Sequence, residues 1–164
     1  MAAPSQLEAN LDIRSLVTNL RKPFNPETLL EIKRRMLARL SFRPCRKEAK
    51  ELERAIRWKR TAAQILADGY VYQGKASTDL VVAFCALCRA AGLETRFVKV
   101  KFGSKEHVVA EVLLPGGWHA FDVADPTAAP KKQEITASAP FGPWTLWKKG
   151  RDAWDLGLAG PTAV

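Results

Sequence analysis

The segment from Thr78 to Ala91, TDLVVAFCALCRAA, constrains the fold of this 164-residue chain more than any other stretch. Its near-uniform hydrophobicity, carried by Leu80, Val81, Val82, Phe84 and Leu87, predicts a helix buried on most sides, and Gly92 is placed to end it. A helix of that kind needs apolar partners all round. Thr95 to Phe102 (TRFVKVKF) supplies one, partly alternating apolar and polar residues as a half-buried strand does, with Val98, Val100 and Phe102 as core contributors. His107 to Leu114 reads as a second strand, Pro115-Gly116-Gly117 as a turn, and Trp118 to Val123 as a third strand. Asp125-Pro126-Thr127 closes that strand, and a loop containing Pro, Ala and Lys runs to about Pro143. The expected fold class is therefore α+β, a buried central helix packed on an antiparallel sheet.

The chain ahead of this core has a different character. In NPETLLEIKRRMLARL, Asn25 suits an N-cap and Pro26 the first helical position, while Leu29, Ile32, Met36, Leu37 and Leu40 mark one apolar face. A second basic helix is expected from about Lys47 to Lys59, with Leu52 and Ile56 facing inward. Thr61 is placed to cap a short helix through Ala67, which Gly69 ends. The organisation expected is a basic helical lobe over residues 1–60 and a core over 61–164 with a tryptophan-rich tail, together one compact domain, since domains cluster near roughly 100 to 150 residues. Residues 1–60 hold 15 Lys/Arg against 7 Asp/Glu, so nearly all of the net charge of +9 lies at the front. Such a face either attracts an acidic protein or nucleic acid or is a solvated helical surface.

No apolar run approaches the roughly 18 residues of a membrane span. Glu8, Asp12 and Arg14 interrupt the opening segment, which lacks the order of a signal peptide, so a cytoplasmic location is expected. The three cysteines do not make a disulfide framework. Cys85 and Cys88 form a CxxC, but without a second cysteine pair or histidine cluster they read as core packing, and neither a metal nor a cofactor is expected. No acidic loop has the density that calcium needs.

A helix, then a strand with a histidine at its head, then a strand ending near an aspartate has mechanical meaning. A nucleophile at a helix N-terminus gains from the positive end of the dipole and from free backbone N–H groups that can hold an oxyanion. A histidine on the next strand can take its proton, and an aspartate can orient that histidine. His107 and Asp122, on strands joined by a tight turn, can meet. His119, three residues before Asp122, points to the opposite face if the strand is regular.

These residues resemble the transglutaminase-like superfamily, of papain-like fold. Its catalytic segment has a cysteine, often an acidic residue two positions on, an apolar helix, then ALxRAxG, an apolar residue and an arginine. This chain reads Ser77, Asp79, then Ala86-Leu87-Cys88-Arg89-Ala90-Ala91-Gly92, with Arg96 beyond. The family's histidine at a strand head matches His107, and its Trp-x3-Asp before a proline-containing turn matches Trp118 and Asp122. The resemblance covers about residues 62 to 127. It implies hydrolysis, deamidation or cross-linking of a protein or peptide amide, with His107 as base and Asp122 as its orienting partner. Gln73 is a candidate oxyanion donor, or a loop residue without a role, and Trp118 and Trp144 are candidates for a substrate groove. Trp144, Trp147 and Trp154 can equally fasten the tail to the sheet.

The departure falls at the nucleophile. The gapless register puts Ser77 at the cysteine position, and a register with one extra helical residue puts Ala76 there. Neither is a thiol. Three accounts stay open: an enzyme whose cysteine has been exchanged, a natural relative that binds without turnover, and a serine hydrolase.

Overall fold

The computed structural model describes residues 5–157; the ends of the two expected segments, 1–4 and 158–164, lie outside the described residues. The front of the chain forms α1 (Leu11–Leu16), α2 (Pro26–Leu37), α3 (Lys50–Ile56) and α4 (Ala62–Asp68). Between and after these helices, β1 (Ser41–Arg43) and β2 (Tyr70–Tyr72) pair in parallel as a two-stranded ribbon. The central helix α5 spans Ser77–Ala90. The remainder is a five-stranded sheet of β3 (Glu94–Phe102), β4 (Lys105–Leu114), β5 (Gly117–Phe121), β6 (Lys131–Lys132) and β7 (Thr145–Gly150), in the order β6-β5-β4-β3-β7. Every pairing in it is antiparallel. The fold is an α+β arrangement with the antiparallel sheet packed on a buried helix.

Local chemistry explains most boundaries. Asn25 and Thr28 form a reciprocal capping box at the start of α2, with Pro26 at its first position, and Thr61 and Gln64 do the same for α4. Gly69 ends α4 in the left-handed conformation at φ 74°, which a side chain would strain. Gly92, at φ 95°, follows α5. Ten consecutive residues of α5, Asp79 to Cys88, are buried. Phe84 is wholly enclosed and meets the ring of Phe121 edge to face, with centroids 5.5 Å apart. Burial of one such side chain is worth about 2 kcal/mol.

Strand β4 shows how the sheet separates two apolar layers. Val108, Ala110, Val112 and Leu114 join the main core under α5, whereas Val109 belongs to a second cluster with Val98, Val100, Ala120 and Ile135. Phe141, Trp144 and Leu146 pack on that second cluster, so part of the tryptophan-rich tail fastens to the sheet. Gln6 ties the ends of the chain together: its amide nitrogen donates to the carbonyls of Trp58 and Arg60, and its amide oxygen accepts from Ala153 N at 2.9 Å.

Four local expectations are corrected. Lys47 to Lys59 is not one helix but a 3-10 turn (Lys47–Ala49) followed by α3, because Arg57 leaves the helical region and Trp58 takes a positive φ of 61°. On α3, Leu52 is 63% exposed and Ile56 half-buried, and the enclosed residue is Glu53, bonded to Arg57. The segment to Pro143 is not wholly loop, since Lys131 and Lys132 pair with β5. Phe102 is 54% exposed because β3 runs past the core at its end. Among the described residues, no helix is long and apolar enough to cross a membrane.

Candidate active site

Three elements converge at the start of α5. The helix opens at Ala76 with no side-chain cap, and its first-turn N–H groups sit where the dipole is positive. Ala76 is buried, and its carbonyl accepts from Leu80 N at 2.9 Å. Ser77 is half-buried. On β4, Nε2 of His107 lies 2.8 Å from Oδ1 of Asp122, just beyond β5. The pair is sheltered without being sealed, with side-chain exposures of 20% and 18%. A carboxylate can only accept, so Nε2 carries the hydrogen, and in the neutral ring Nδ1 then holds the lone pair.

The ring of His107 also stacks on Trp144, centroids 5.2 Å apart and planes 29° apart. His107 is thus gripped at one nitrogen by Asp122 and across one face by Trp144. His119 takes no part: it is buried, and its Nδ1 donates to the carbonyl of Gly117 at 2.9 Å.

Two clefts meet at these residues, sharing Gly74, Ser77, Glu106 and His107. One, of about 550 Å³, is walled mainly by apolar groups, among them Phe42, Ala76, Leu80, Ala124 and Pro126. The other, of about 210 Å³, is polar and aromatic, lined by Trp58, Tyr72, Asp79 and Lys99 among others. Ser77 and His107 line both, whereas Ala76 lines only the first. Gln73 is exposed on the rim of the larger cleft, and its backbone N–H donates to Arg43 O. Trp118 lies apart from both clefts, its ring 3.8 Å below the guanidinium of Arg96.

Buried ion pairs hold the site from behind. Asp79 is joined at 2.8 Å to Arg60, which also reaches Asp68 and the carbonyl of Tyr70. Burial pushes the Asp79 carboxyl up, and the Arg60 guanidinium only partly counters it. This contact clamps the first turn of α5 to the α4–β2 junction. Lys33, buried on α2, donates to Asp125 O at 2.7 Å and lies 5.2 Å from the Phe121 ring. Burial lowers its pKa, with Asp125 and Asp122 acting against the shift. Lys99 is buried in the smaller cleft, 3.3 Å from Glu106 and between Trp58 and Trp147. The sequence reading singled out none of Lys33, Arg60 or Lys99. Their signal is weak, a basic residue within an apolar pattern, and the partners that tie Lys33 and Arg60 to the site, Asp125 and Asp79, lie 92 and 19 positions away.

The cysteines are not poised for reaction at this site. Cys85 and Cys88 are wholly buried, and desolvation pushes the Cys85 thiol up to about 12 and Cys88 well above its ordinary value. Cys45 is half-buried outside both clefts. Among the described residues, no group of three or more His, Cys, Asp or Glu could hold a metal ion.

The family model described as "Transglutaminase-like superfamily" matches residues 33–123, more than half of the chain. The chain belongs to the transglutaminase-like superfamily. A solved structure of a candidate cysteine protease from Cytophaga hutchinsonii is similar to it over 91% of the chain, with a TM-score of 0.60 and 16% identity. At that identity the likeness shows the fold, and this transglutaminase-like chain spans 45% of the other's length. No curated protein matches it. The family match takes in α3, α4, α5, β3, β4 and β5, so the Arg60–Asp79 ion pair falls within the transglutaminase-like unit.

Proposed function

We propose that this transglutaminase-like protein carries an acyl-transfer site, with Ser77 where relatives carry cysteine, that acts on an amide or peptide carbonyl of a protein or peptide. The observation that carries this reading is the His107–Asp122 hydrogen bond of 2.8 Å beside a cleft that Ser77 also lines. The base and its orienting partner are a matched pair, and such a pair is of use where a hydroxyl or thiol must lose a proton.

In the proposed reaction, the substrate carbonyl lies over the start of α5. Ser77 Oγ bonds to the carbonyl carbon while its proton passes to His107 Nδ1, and Asp122 steadies the imidazolium. The carbonyl electrons move to oxygen, where the uncapped N–H groups of α5 receive the negative charge, with Gln73 as a further donor. The tetrahedral species collapses, the C–N bond breaks, and the leaving amine takes the proton from His107. Water then gives hydrolysis or deamidation, and a second amine gives cross-linking. A thiol near pKa 8.5 ionises readily beside a histidine, whereas a serine hydroxyl must lose its proton in concert with attack, so turnover is slow.

A fluorophosphonate probe tests this directly, because it marks a serine only where a base activates it. Labelling of Ser77 that disappears in His107→Ala is expected. No labelling, together with undiminished peptide binding, would overturn catalysis in favour of a binding module that has kept the groove without the chemistry.

A further inference from the structure

A third depression continues from the two clefts at Gly74, which lines all three. It is about 260 Å³, and Lys50, Arg54, Arg57 and Lys75 supply its cations. Glu53 is its one carboxylate, and it is already held by Arg57 at 2.7 Å. Among the described residues, Lys50, Arg54 and Lys75 have no carboxylate within ion-pair distance, and all three are exposed. The groove therefore carries an excess positive field at the edge of the candidate active site.

We propose that the substrate is an acidic peptide, whose carboxylates lie against Lys50, Arg54 and Lys75 while its reactive carbonyl reaches Ser77. The inference rests on the acyl-transfer reading for the identity of the reacting group, but not for the binding itself. Two features favour a peptide over a nucleic acid. No aromatic residue lines this groove, so it offers no stacking platform for bases. It also opens, through Gly74 and Lys75, onto the polar cleft beside His107, where an amide is the group to be handled. The exposed cations raise the encounter rate and select the flank of the substrate, and the larger apolar cleft remains available to the acyl side.

The test uses the full chain and fluorescein-labelled glutamine peptides of one length, with either glutamates or serines on one flank. Polarisation titrations would be made at roughly 50 and 200 mM salt. The expected result is roughly tenfold tighter binding of the acidic peptide at low salt, largely lost at high salt and in Arg54→Gln/Lys75→Gln. Arg21→Gln, on an exposed loop before α2, should leave it unchanged. Repeating the titration in Ser77→Ala separates the two readings, because binding should persist there even if fluorophosphonate labelling never occurs. Equal affinity for both peptides, equal loss in Arg21→Gln, or displacement of the acidic peptide by an uncharged one at equal concentration would overturn the proposal. So would tighter binding of a labelled single-stranded oligonucleotide than of the acidic peptide.

Discussion

The two halves of the candidate site are built in opposite ways. On the sheet side, His107 is held by a 2.8 Å bond to Asp122 and by the stacked ring of Trp144, so its orientation is set by its immediate neighbours. On the helix side, Ser77 has no such grip, and its position follows from the helix, which the buried Arg60–Asp79 pair anchors two residues further on. The proposed base is thus positioned by direct contacts and the proposed nucleophile by architecture. On the proposed reading, exchange of the side chain at Ser77 would leave the His107–Asp122 pair intact.

Loss of the direct grip should have the largest effect. Asp122→Ala is expected to lower fluorophosphonate labelling of Ser77 by roughly a hundredfold while the protein stays folded. Unchanged labelling would make the pair a structural contact only. Removing the architectural anchor should act on stability instead. Arg60→Ala leaves the Asp79 carboxyl buried without its partner, and a loss of about 3 kcal/mol in urea unfolding is expected. Much of it should return in Arg60→Ala/Asp79→Asn, and a single-variant loss below about 1 kcal/mol would break the comparison. Trp144→Ala should be milder, roughly a fivefold loss of labelling with about 1 kcal/mol of stability, because Asp122 still holds the ring.

The smallest effect is an acid control remote from the contrast. Glu31 on α2 lines none of the three connected clefts, and hydrogen bonds from Arg34 and Arg35 lower its pKa to about 2 from 4.5. A carboxyl more acidic in the folded state stabilises the fold above its ordinary pKa. That contribution falls away as pH drops from 4.5 towards about 2. The pairs are partly exposed, so screening keeps the contribution below about 1 kcal/mol. Glu31→Gln should flatten the stability profile in that window and leave labelling at neutral pH untouched.

The strong periodicities of the sequence were legible as structure. Helix α5 and strands β3, β4 and β5 lie within about two residues of their expected bounds, because uniform hydrophobicity and alternation report burial directly. Strand β7 was not legible: TLWKKG carries no apolar alternation, since it is an edge strand whose Lys148 lies 5.6 Å from the Trp147 ring and whose Lys149 pairs with the buried Glu111. The three-residue strands β1 and β2 were too short to show a period, and α1 has only Ile13 buried. At the site, the proximity of His107 and Asp122 was legible from strand, turn and strand. The Arg60–Asp79 anchor was not, because Arg60 reads as one more cation in a basic segment until the fold brings α5 beside it.

The most direct measurement is the rate of iodoacetamide alkylation of Ser77→Cys and Ala76→Cys at neutral pH, each in a Cys45→Ser background. Cys85 and Cys88 are wholly buried and contribute little signal while the protein is folded. If the base half is intact and Ser77 is the slot, Ser77→Cys should react roughly a hundredfold faster than a free thiol at the same pH, and His107→Ala should abolish the enhancement. Fast, His107-dependent reaction of Ala76→Cys alone would move the slot by one residue. Ordinary thiol reactivity at both positions would contradict a poised base and leave the groove as a binding surface.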